Sequence, residues 1–213
     1  RGMISPGLLF TFEGIDGCGK STQLALLREY LSSQGVPCES FREPGGNVVS
    51  ESIRDLLLHS DHPITPTAEV FLFSAARAQL IEQDIKPRLE QGITILMDRF
   101  FDSTTAYQGY GHGVMDADTL QKLHPFATGG LLPHRTYIFD LSVVEARSRT
   151  QQQEKDRIEQ QSEAYFERVA EGYRQIASTA SRYMILDASR PIGELHDAIR
   201  GDVTSWIHPA QGE

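Results

Sequence analysis

A glycine-rich segment near the beginning of the chain constrains the fold more than any other feature. Residues 12–22 read Phe-Glu-Gly-Ile-Asp-Gly-Cys-Gly-Lys-Ser-Thr, after the apolar run 8–12 and before an amphipathic stretch. This position indicates a loop between a strand and a helix. The spacing of its glycines, lysine and serine fits the Walker A pattern, in which backbone N–H groups at a helix N-terminus bind phosphate oxygens. The pattern predicts a phosphate-binding loop, against the alternative of a flexible glycine turn.

Two side chains of this loop have distinct expected tasks. Lys20 supplies a point charge for the β and γ phosphates of a nucleoside triphosphate, and Ser21 supplies a hydroxyl ligand for Mg²⁺. The residues expected to bind the triphosphate are Gly14, Ile15, Asp16, Gly17, Cys18, Gly19, Lys20, Ser21 and Thr22.

Four further short apolar runs recur along the chain, at residues 38–41, 93–97, 137–141 and 183–186. Helical patterns fill the intervals, and this alternation is typical of βαβ units. Right-handed crossovers then give an α/β fold of the P-loop NTPase class, with a five-stranded parallel sheet and helices on both faces. Ligands of such sheets bind beyond the carboxyl ends of the strands.

Length, charge and cysteine content narrow the classes of function. A chain of 213 residues is long enough for one sizeable core, and we expect a single domain over residues 1–213. The net charge of −9 gives no basic surface for a nucleic-acid backbone and favours a small phosphorylated ligand. No apolar run approaches the roughly 20 residues that a membrane span requires. With two cysteines, Cys18 and Cys38, and no signal-peptide pattern, we expect a cytoplasmic protein without disulfides.

A carboxylate and a guanidinium, Asp98 and Arg99, follow the run 93–97. A carboxylate at a strand end opposite a Walker A loop is where a nucleotide kinase holds Mg²⁺ through water, and an adjacent arginine can bind a phosphate bidentately. The alternative is a structural ion pair at a strand end. The Walker A loop favours the functional interpretation.

Two pairs of side chains have helical i, i+4 spacing. Thr104 and Gln108 would meet one ligand edge if a helix begins near residue 101. Phe73 and Arg77 would offer a base an aromatic face and a guanidinium donor. An aromatic residue in an apolar helix is more often part of the core, so these positions depend on the wider pattern.

Asp16 is unusual because a negative charge inside an anion-binding loop costs Coulomb energy unless it faces a partner other than phosphate. A sugar hydroxyl is a suitable partner, and capping of the turn is the alternative. Further along, four cations lie within the eleven residues 147–157 of this acidic chain. They predict a lid, at about residues 145–160, that excludes water and brings cations to the phosphates. A solvated helix face is the alternative.

Seven ordered blocks together resemble the thymidylate kinase family, and the resemblance runs from about residue 9 to residue 199. The blocks are residues 12–22, 42–46 (Arg-Glu-Pro-Gly-Gly), 53–58, 73–77, 98–99 with 106–109 (Ala-Tyr-Gln-Gly), 126–131 and 156–159 (Asp-Arg-Ile-Glu). The resemblance implies transfer of the γ-phosphoryl group of ATP to thymidine monophosphate with Mg²⁺, in dTTP synthesis, by a homodimer with no nucleic-acid or membrane partner. It also implies that the whole chain is one nucleoside monophosphate kinase domain.

Carried over to this chain, the resemblance assigns a role to each candidate residue. Asp16 takes the 3′-hydroxyl of the deoxyribose, which accounts for its charge. Tyr107 crowds the 2′ position and disfavours ribonucleotides. Phe73 stacks on thymine, Arg77 and Thr104 contact its polar edge, and Gln108 closes that side. Arg99 and Arg54 hold the acceptor phosphate. Lys20, Ser21 and Asp98 bind ATP and the metal ion.

Gly17 indicates where the catalytic cation lies. The family divides by this feature, and a loop without arginine at this position resembles the bacterial type, in which the lid carries the cation. Arg149 and Arg157 are the candidates, and glutamines stand at 151–153 where related lids often carry another arginine. The chain also departs from the family pattern at Phe41, Asn47, Phe100 and His134.

Three other functions are compatible with a Walker A loop. A kinase for another nucleotide or a deoxynucleoside is the nearest. A GTP-dependent switch protein is disfavoured because the chain has no Asn-Lys-x-Asp segment to read guanine. A non-catalytic scaffold is least favoured because every expected charged group is present.

Overall fold

Five short strands form one parallel sheet in the order β2-β3-β1-β4-β5. The computed structural model describes residues 5–208, so residues 1–4 and 209–213 of the expected domain lie outside the described part. The strands are β1 (Leu9–Glu13), β2 (Cys38–Arg42), β3 (Thr94–Asp98), β4 (Arg135–Asp140) and β5 (Tyr183–Asp187). All of their ends lie within two residues of the predicted runs. The predicted α/β class and parallel sheet are confirmed.

Helices connect the strands, as parallel pairing requires. They are α1 (Lys20–Ser33), α2 (Val48–His59), α3 (Pro66–Leu80), α4 (Lys86–Glu90), α5 (Phe101–Thr104), α6 (Ala117–Thr128), α7 (Val143–Arg149), α8 (Glu163–Ala177) and α9 (Ile192–Ile207). Two π-helical segments, Ile81–Ile85 and Thr105–Gly111, follow α3 and α5 without a break. No helix within residues 5–208 combines the length and apolar character needed to cross a bilayer.

The core lies on both faces of the sheet because successive strand residues point in opposite directions. Leu9 packs with Leu80 and Leu89, from α3 and α4, on one face. The next residue, Phe10, packs with Leu27 and Leu31 of α1 on the other. The predicted covering of both faces by helices is therefore confirmed.

Three of the residues that depart from the family pattern have structural uses. Asn47 caps α2, because its side chain accepts the Ser50 N–H at 2.9 Å. His134 Nδ1 accepts the Leu9 N–H at 3.0 Å, and Phe100 is fully buried. These substitutions therefore remove nothing that the fold requires.

The strand register brings the expected site residues to one edge of the sheet. Asp98, the last residue of β3, pairs with Phe12 of β1 and with Arg42 of β2. The phosphate loop leaves β1 one residue later, and Arg99 follows Asp98. All of these groups lie beyond the carboxyl ends of the strands, where ligands of such sheets bind.

A buried ion pair near this sheet gives a stability prediction. Arg182 donates to both Asp102 oxygens at 3.0 Å, and Asp102 is fully buried. Arg182→Ala should lower the free energy of unfolding by about 3–5 kcal/mol, because it leaves a buried carboxylate without its cation. Urea unfolding measures the loss. Arg174→Ala is the matched control, since Arg174 pairs with Asp140 on the surface and its loss should cost less than about 1 kcal/mol. Equal losses would contradict the prediction.

Candidate active site

The phosphate loop connects β1 to α1 through glycines that no other residue could replace without strain. Gly14 has φ +143° and Gly17 has φ +85°, a region that side chains disfavour. A Cβ at Gly17 would also lie 2.5 Å from the Ala146 carbonyl oxygen of α7. Because α7 packs so close, this position has no room for an arginine. The structure thereby gives a physical reason for the glycine that the sequence singled out.

Lys20 begins α1 and lies almost fully buried under the loop. Its Nζ donates to the carbonyl oxygens of Gly14 at 2.9 Å and Ile15 at 3.1 Å. An ammonium group has three donors, and the third bonds weakly to Cys18 Sγ at 3.6 Å. Lys20 also lines the large cleft described below. The sequence prediction of a cation at the base of the phosphate site agrees with this placement.

Ser21 and Asp98 are 77 residues apart in sequence but adjacent in the fold. Ser21 donates from Oγ to Asp98 Oδ2 at 3.3 Å. One hydroxyl and one carboxylate, with ligand phosphates and waters, are a donor set that suits Mg²⁺. Among residues 5–208, no three or more histidine, cysteine, aspartate or glutamate side chains form a metal-binding cluster of their own. The residues present therefore fit a cation held mainly by the ligand's phosphates.

Asp16 and Arg99 form an ion pair where the loop faces the end of β3. Arg99 Nη2 donates to Asp16 Oδ1 at 2.8 Å and to the Tyr107 hydroxyl at 3.1 Å. Burial alone would raise the pKa of Asp16, but Arg99 and Lys20 outweigh it and hold the pKa at about 2. Asp16 is therefore a carboxylate at neutral pH. Arg99 has φ +69°, a left-handed conformation that is uncommon for a residue with a side chain and is often found at functional sites.

Two cavities meet at this ion pair. The larger has a volume of about 830 Å³ and is lined by the phosphate loop, α1 and the residues after β5, including Arg190 and Ile192. The smaller, of about 150 Å³, lies towards α3 and α5. Residues that line both are Asp16, Glu43, Arg54, Arg99 and Glu159. We call the larger cavity the phosphate cleft and the smaller one the acceptor cavity.

The phosphate cleft is rich in cations although the chain as a whole is acidic. Its cations are Lys20, Arg42, Arg54, Arg99, Arg149 and Arg190. Such a concentration attracts phosphate groups and discriminates against cationic ligands.

The acceptor cavity has an apolar wall and a polar wall. Phe73 of α3, Thr104 of α5 and Tyr107 line it. Arg77 lies buried next to the lining, because it donates to Thr104 Oγ1 at 3.2 Å and to Glu43 Oε2 at 2.7 Å. Its Nη1 and Glu43 Oε1 are buried without a partner within the described residues. Glu43 lines the cavity, whereas Arg77 is 1% exposed and does not, so its expected contact with a ligand stays a prediction.

Gln108 differs from the sequence prediction that it shares a ligand edge with Thr104. The α-helix ends at Thr104, and Gln108 lies in the π-helix that follows, whose wider turn moves its side chain around the helix axis relative to α-helical spacing. Gln108 is buried, does not line the acceptor cavity, and donates to Glu69 Oε2 at 3.0 Å. In this structure the Thr104 and Gln108 side chains therefore do not meet at one edge of the cavity, and their shared contact with a ligand stays a prediction.

The structure also separates the two lid arginines. Arg149 lies in the phosphate cleft and donates to Glu145 at 2.7 Å and the Gly17 carbonyl at 3.5 Å. Arg157 does not line either cavity. Its guanidinium pairs with Glu69 at 2.7 Å and donates to the Leu57 carbonyl at 2.8 Å. The prediction that Arg157 reaches the phosphates is therefore not met in this structure, because α2 and α3 hold its side chain.

Sequence reasoning gave no role to several residues that the fold brings to the site. Glu159 and Glu43 lie in recognised blocks, so the block pattern was an available signal. Tyr173, from α8, reaches Arg99 Nη1 at 3.3 Å. No sequence signal points to Tyr173, because it lies 74 residues from Arg99 in the chain.

The fold and this site define a P-loop enzyme that acts on phosphorylated small molecules. The sequence profile of the thymidylate kinase family matches residues 12–199. The chain belongs to the thymidylate kinase family, whose members are nucleoside monophosphate kinases.

Individual relatives agree with this membership. The thymidylate kinase of Chlorobium chlorochromatii is 46% identical, with 94% of this chain and 96% of the relative covered. That of Thermosipho melanesiensis is 41% identical, with 94% and 99% covered. The crystal structure of thymidylate kinase from Ehrlichia chaffeensis superimposes with a TM-score of 0.76 at 33% identity, covering 93% of this chain and all of that one.

Proposed function

We propose that this chain transfers the γ-phosphoryl group of ATP to thymidine monophosphate, giving thymidine diphosphate for dTTP synthesis. The observation that supports this most is the meeting of the phosphate cleft and the acceptor cavity at Asp16 and Arg99. A donor nucleotide in one and an acceptor nucleotide in the other would have their phosphates at this junction. In-line transfer needs this alignment, and the protein then contributes positioning and charge.

In this proposal the phosphate cleft binds ATP. The loop residues from Gly14 to Thr22 surround its phosphates with N–H groups, and Lys20 adds a positive charge. Arg149 is the lid cation that we assign to the transferred group, since it already lies in the cleft. Arg157 would have to leave Glu69 to contribute.

Mg²⁺ is the proposed cofactor, held by Ser21 and, through water, by Asp98. When bound it would neutralise charge on the bridging phosphate oxygens. Asp98 and Ser21 orient each other through their hydrogen bond.

The acceptor cavity binds thymidine monophosphate in the proposed complex. Phe73 stacks on thymine, and the unpaired Nη1 of Arg77 donates to a base oxygen beside Thr104. Gln108 bonds to Glu69 outside the cavity lining and would have to turn from it to contact the base. Arg99 and Arg54 bind the phosphate, and Tyr107 fills the space beside the 2′ carbon.

A coupled assay of ADP formation tests the proposal. ATP and Mg²⁺ are supplied with each pyrimidine and purine monophosphate in turn, and with a deoxynucleoside. Thymidine monophosphate should give the highest kcat/KM. A higher value for another acceptor would indicate a different kinase. Preference for GTP without an acceptor would indicate a switch protein, and nucleotide binding without turnover a scaffold.

Asp16→Ala should weaken the acceptor more than the donor. The change removes the carboxylate expected to accept the 3′-hydroxyl and leaves Arg99 without its 2.8 Å partner. We expect the KM for thymidine monophosphate to rise by about 10-fold or more, the value of one charged hydrogen bond. The KM for ATP should change less than about 3-fold. Initial rates with each substrate varied in turn measure both, and equal losses for the two would mean that Asp16 is only structural.

We also propose that the chain forms a homodimer. Val48 and Leu56 of α2, Phe71 of α3 and Phe126 of α6 are exposed apolar side chains, and Phe126 is 85% exposed. The helices are neighbours, since α3 packs against both α2 and α6. A second copy would cover this apolar surface.

Replacing Phe71 and Phe126 together by glutamate should convert the dimer to a monomer. The change would place like charges opposite each other across the interface of a symmetric dimer. It would also remove the apolar contacts that the two phenylalanines make there. Light scattering coupled to size exclusion gives the mass of each form. Ile185→Glu is the matched control, because Ile185 is exposed on β5, away from these helices. A variant that keeps the mass of the unaltered chain would contradict this surface as the interface.

A further inference from the structure

Glu13 is a fully buried carboxylate that the proposed reaction does not use. It ends β1, directly before the phosphate loop, and lines neither cavity itself. Its Oε2 accepts the Ser103 hydroxyl at 2.6 Å and the Tyr173 hydroxyl at 2.9 Å. Its Oε1 accepts the Phe100 N–H at 2.7 Å. Three donors from two parts of the chain, the segment after β3 and α8, thus converge on one buried carboxylate.

The same two hydroxyls contact Arg99. Arg99 Nη1 donates to Ser103 Oγ at 3.2 Å and to Tyr173 Oη at 3.3 Å. A hydroxyl has one proton to donate, whereas its lone pairs accept. Ser103 Oγ and Tyr173 Oη also lie 3.0 Å apart, so each hydroxyl has either Glu13 or the other hydroxyl as a possible acceptor. When both protons go to the Glu13 carboxylate, the lone pairs of both oxygens remain for Arg99. Glu13 therefore fixes the direction of the two hydroxyls.

Glu13 also holds the backbone next to Arg99. The Phe100 N–H that it accepts follows the left-handed Arg99 residue directly. The Arg99 N–H donates to the Phe12 carbonyl at 2.9 Å. The strained residue is thus held on both sides by the end of β1, and strain of this kind persists only where the surroundings fix it.

We infer that Glu13 is a positioning residue, which acts through Ser103 and Tyr173 to hold the Arg99 guanidinium where it binds the acceptor phosphate. The inference deepens the proposed function and rests on it, because it assumes that Arg99 binds that phosphate.

The electrostatics around Glu13 make this role dependent on pH. The charged and titratable groups that face it are Arg99, Asp102 of α5 and Tyr173 of α8. Burial and the nearby Asp102 raise the pKa of Glu13 to about 7, although its hydrogen bonds and Arg99 oppose the rise. A protonated Glu13 would have a donor where it now has an acceptor. It could no longer take both hydroxyl protons, and Arg99 would lose an oriented partner.

Glu13→Gln tests the inference with little change in volume. If the amide oxygen accepts the Phe100 N–H, the amide NH₂ faces the two hydroxyls and turns their protons towards Arg99. We expect kcat/KM for thymidine monophosphate to fall 10- to 100-fold, while the KM for ATP changes less than about 3-fold. Equal effects on both substrates would overturn the inference.

A pH profile separates positioning from a general loss of structure. The ratio of wild-type to Glu13→Gln kcat/KM should be largest above pH 8, fall through pH 7 and approach 1 only near about pH 5, since the protonated carboxyl resembles the amide. The titration of the substrate phosphate is the same for both enzymes and cancels in the ratio. A ratio that does not change with pH would overturn the inference.

Removing the two hydroxyls tests the route of the effect. In a Ser103→Ala/Tyr173→Phe background, Glu13→Gln should lower kcat/KM by less than about 2-fold further, because its intermediaries are gone. A full additional loss would mean that Glu13 does not act through them. If Glu13→Gln does not fold, the single variants Ser103→Ala and Tyr173→Phe carry the test. Each should lower kcat/KM for the acceptor selectively, and no loss in either would overturn the inference.

A crystal structure of Glu13→Gln gives a readout that needs no turnover. The Arg99 guanidinium should have left Ser103 and Tyr173. Arg99 in its wild-type place would overturn the inference even if the chain phosphorylated thymidine monophosphate normally. Conversely, a wild-type chain inactive on thymidine monophosphate would refute the proposed function, whatever the position of Arg99 in the variant.

Discussion

Lys20→Ala is expected to lower kcat by roughly 10³-fold while the fold persists. An oriented donor aimed at charge that develops in the transition state contributes about 10²–10³-fold, and a full charge at a phosphate contributes at the upper end. Lys20 lies at the base of the phosphate cleft, held by the Gly14 and Ile15 carbonyls. Steady-state rates with ATP and thymidine monophosphate measure the loss.

Two further variants show whether the loss belongs to the position or to the charge. Lys86→Ala is the matched control, because the Lys86 amine also donates to a backbone carbonyl, that of Gly129, outside the cavities described here. It should keep wild-type turnover. Lys20→Arg keeps the charge but needs more room than the buried site gives, so it should remain severely impaired. Near-normal turnover of Lys20→Ala would refute the proposed role.

Arg99→Lys is expected to lower kcat/KM for thymidine monophosphate by about 10²–10³-fold despite keeping the charge. The Arg99 guanidinium donates to Asp16 and Tyr107 from Nη2, and to Ser103 and Tyr173 from Nη1. A lysine ammonium is a point donor without this fork, so it cannot keep those contacts and bind a phosphate as well. Varying the acceptor at saturating ATP gives the measurement.

The control for this change is Arg174→Lys. Arg174 also bonds a carboxylate from several nitrogens, that of Asp140, but on the surface. Its replacement should leave kcat/KM within about 2-fold of wild type. If Arg99→Lys did the same, a simple positive charge would suffice there and the guanidinium geometry would be irrelevant.

Much of the site could be predicted from the sequence because the patterns that indicate it are local. The glycines among residues 14–19 indicate backbone positions with positive φ, and the apolar runs predict the strands. Once a parallel sheet is predicted, Asp98 must lie opposite the phosphate loop, since the strand ends share one edge. The 3.3 Å contact between Ser21 and Asp98 agrees with that expectation.

Other features could not be read because side-chain direction depends on packing between distant segments. Gln108 has the expected spacing from Thr104, but the π-helical turn rotates it onto Glu69. Arg157 lies in the expected lid segment, yet the buried Glu69 and the end of α2 hold it. A cation count within a segment gives its charge but not the direction in which each side chain points.

The sequence by itself determined the strands, the phosphate loop and the identity of the charged groups around it, because each depends on neighbours within about ten residues. Only the tertiary structure decided how those groups are oriented. Glu13, Arg99 and Tyr173 belong to β1, the loop after β3 and α8, and their hydrogen bonds join residues 74 and 160 positions apart. Such contacts form only when the helices close over the sheet, and a buried carboxylate then acquires partners that no local pattern specifies.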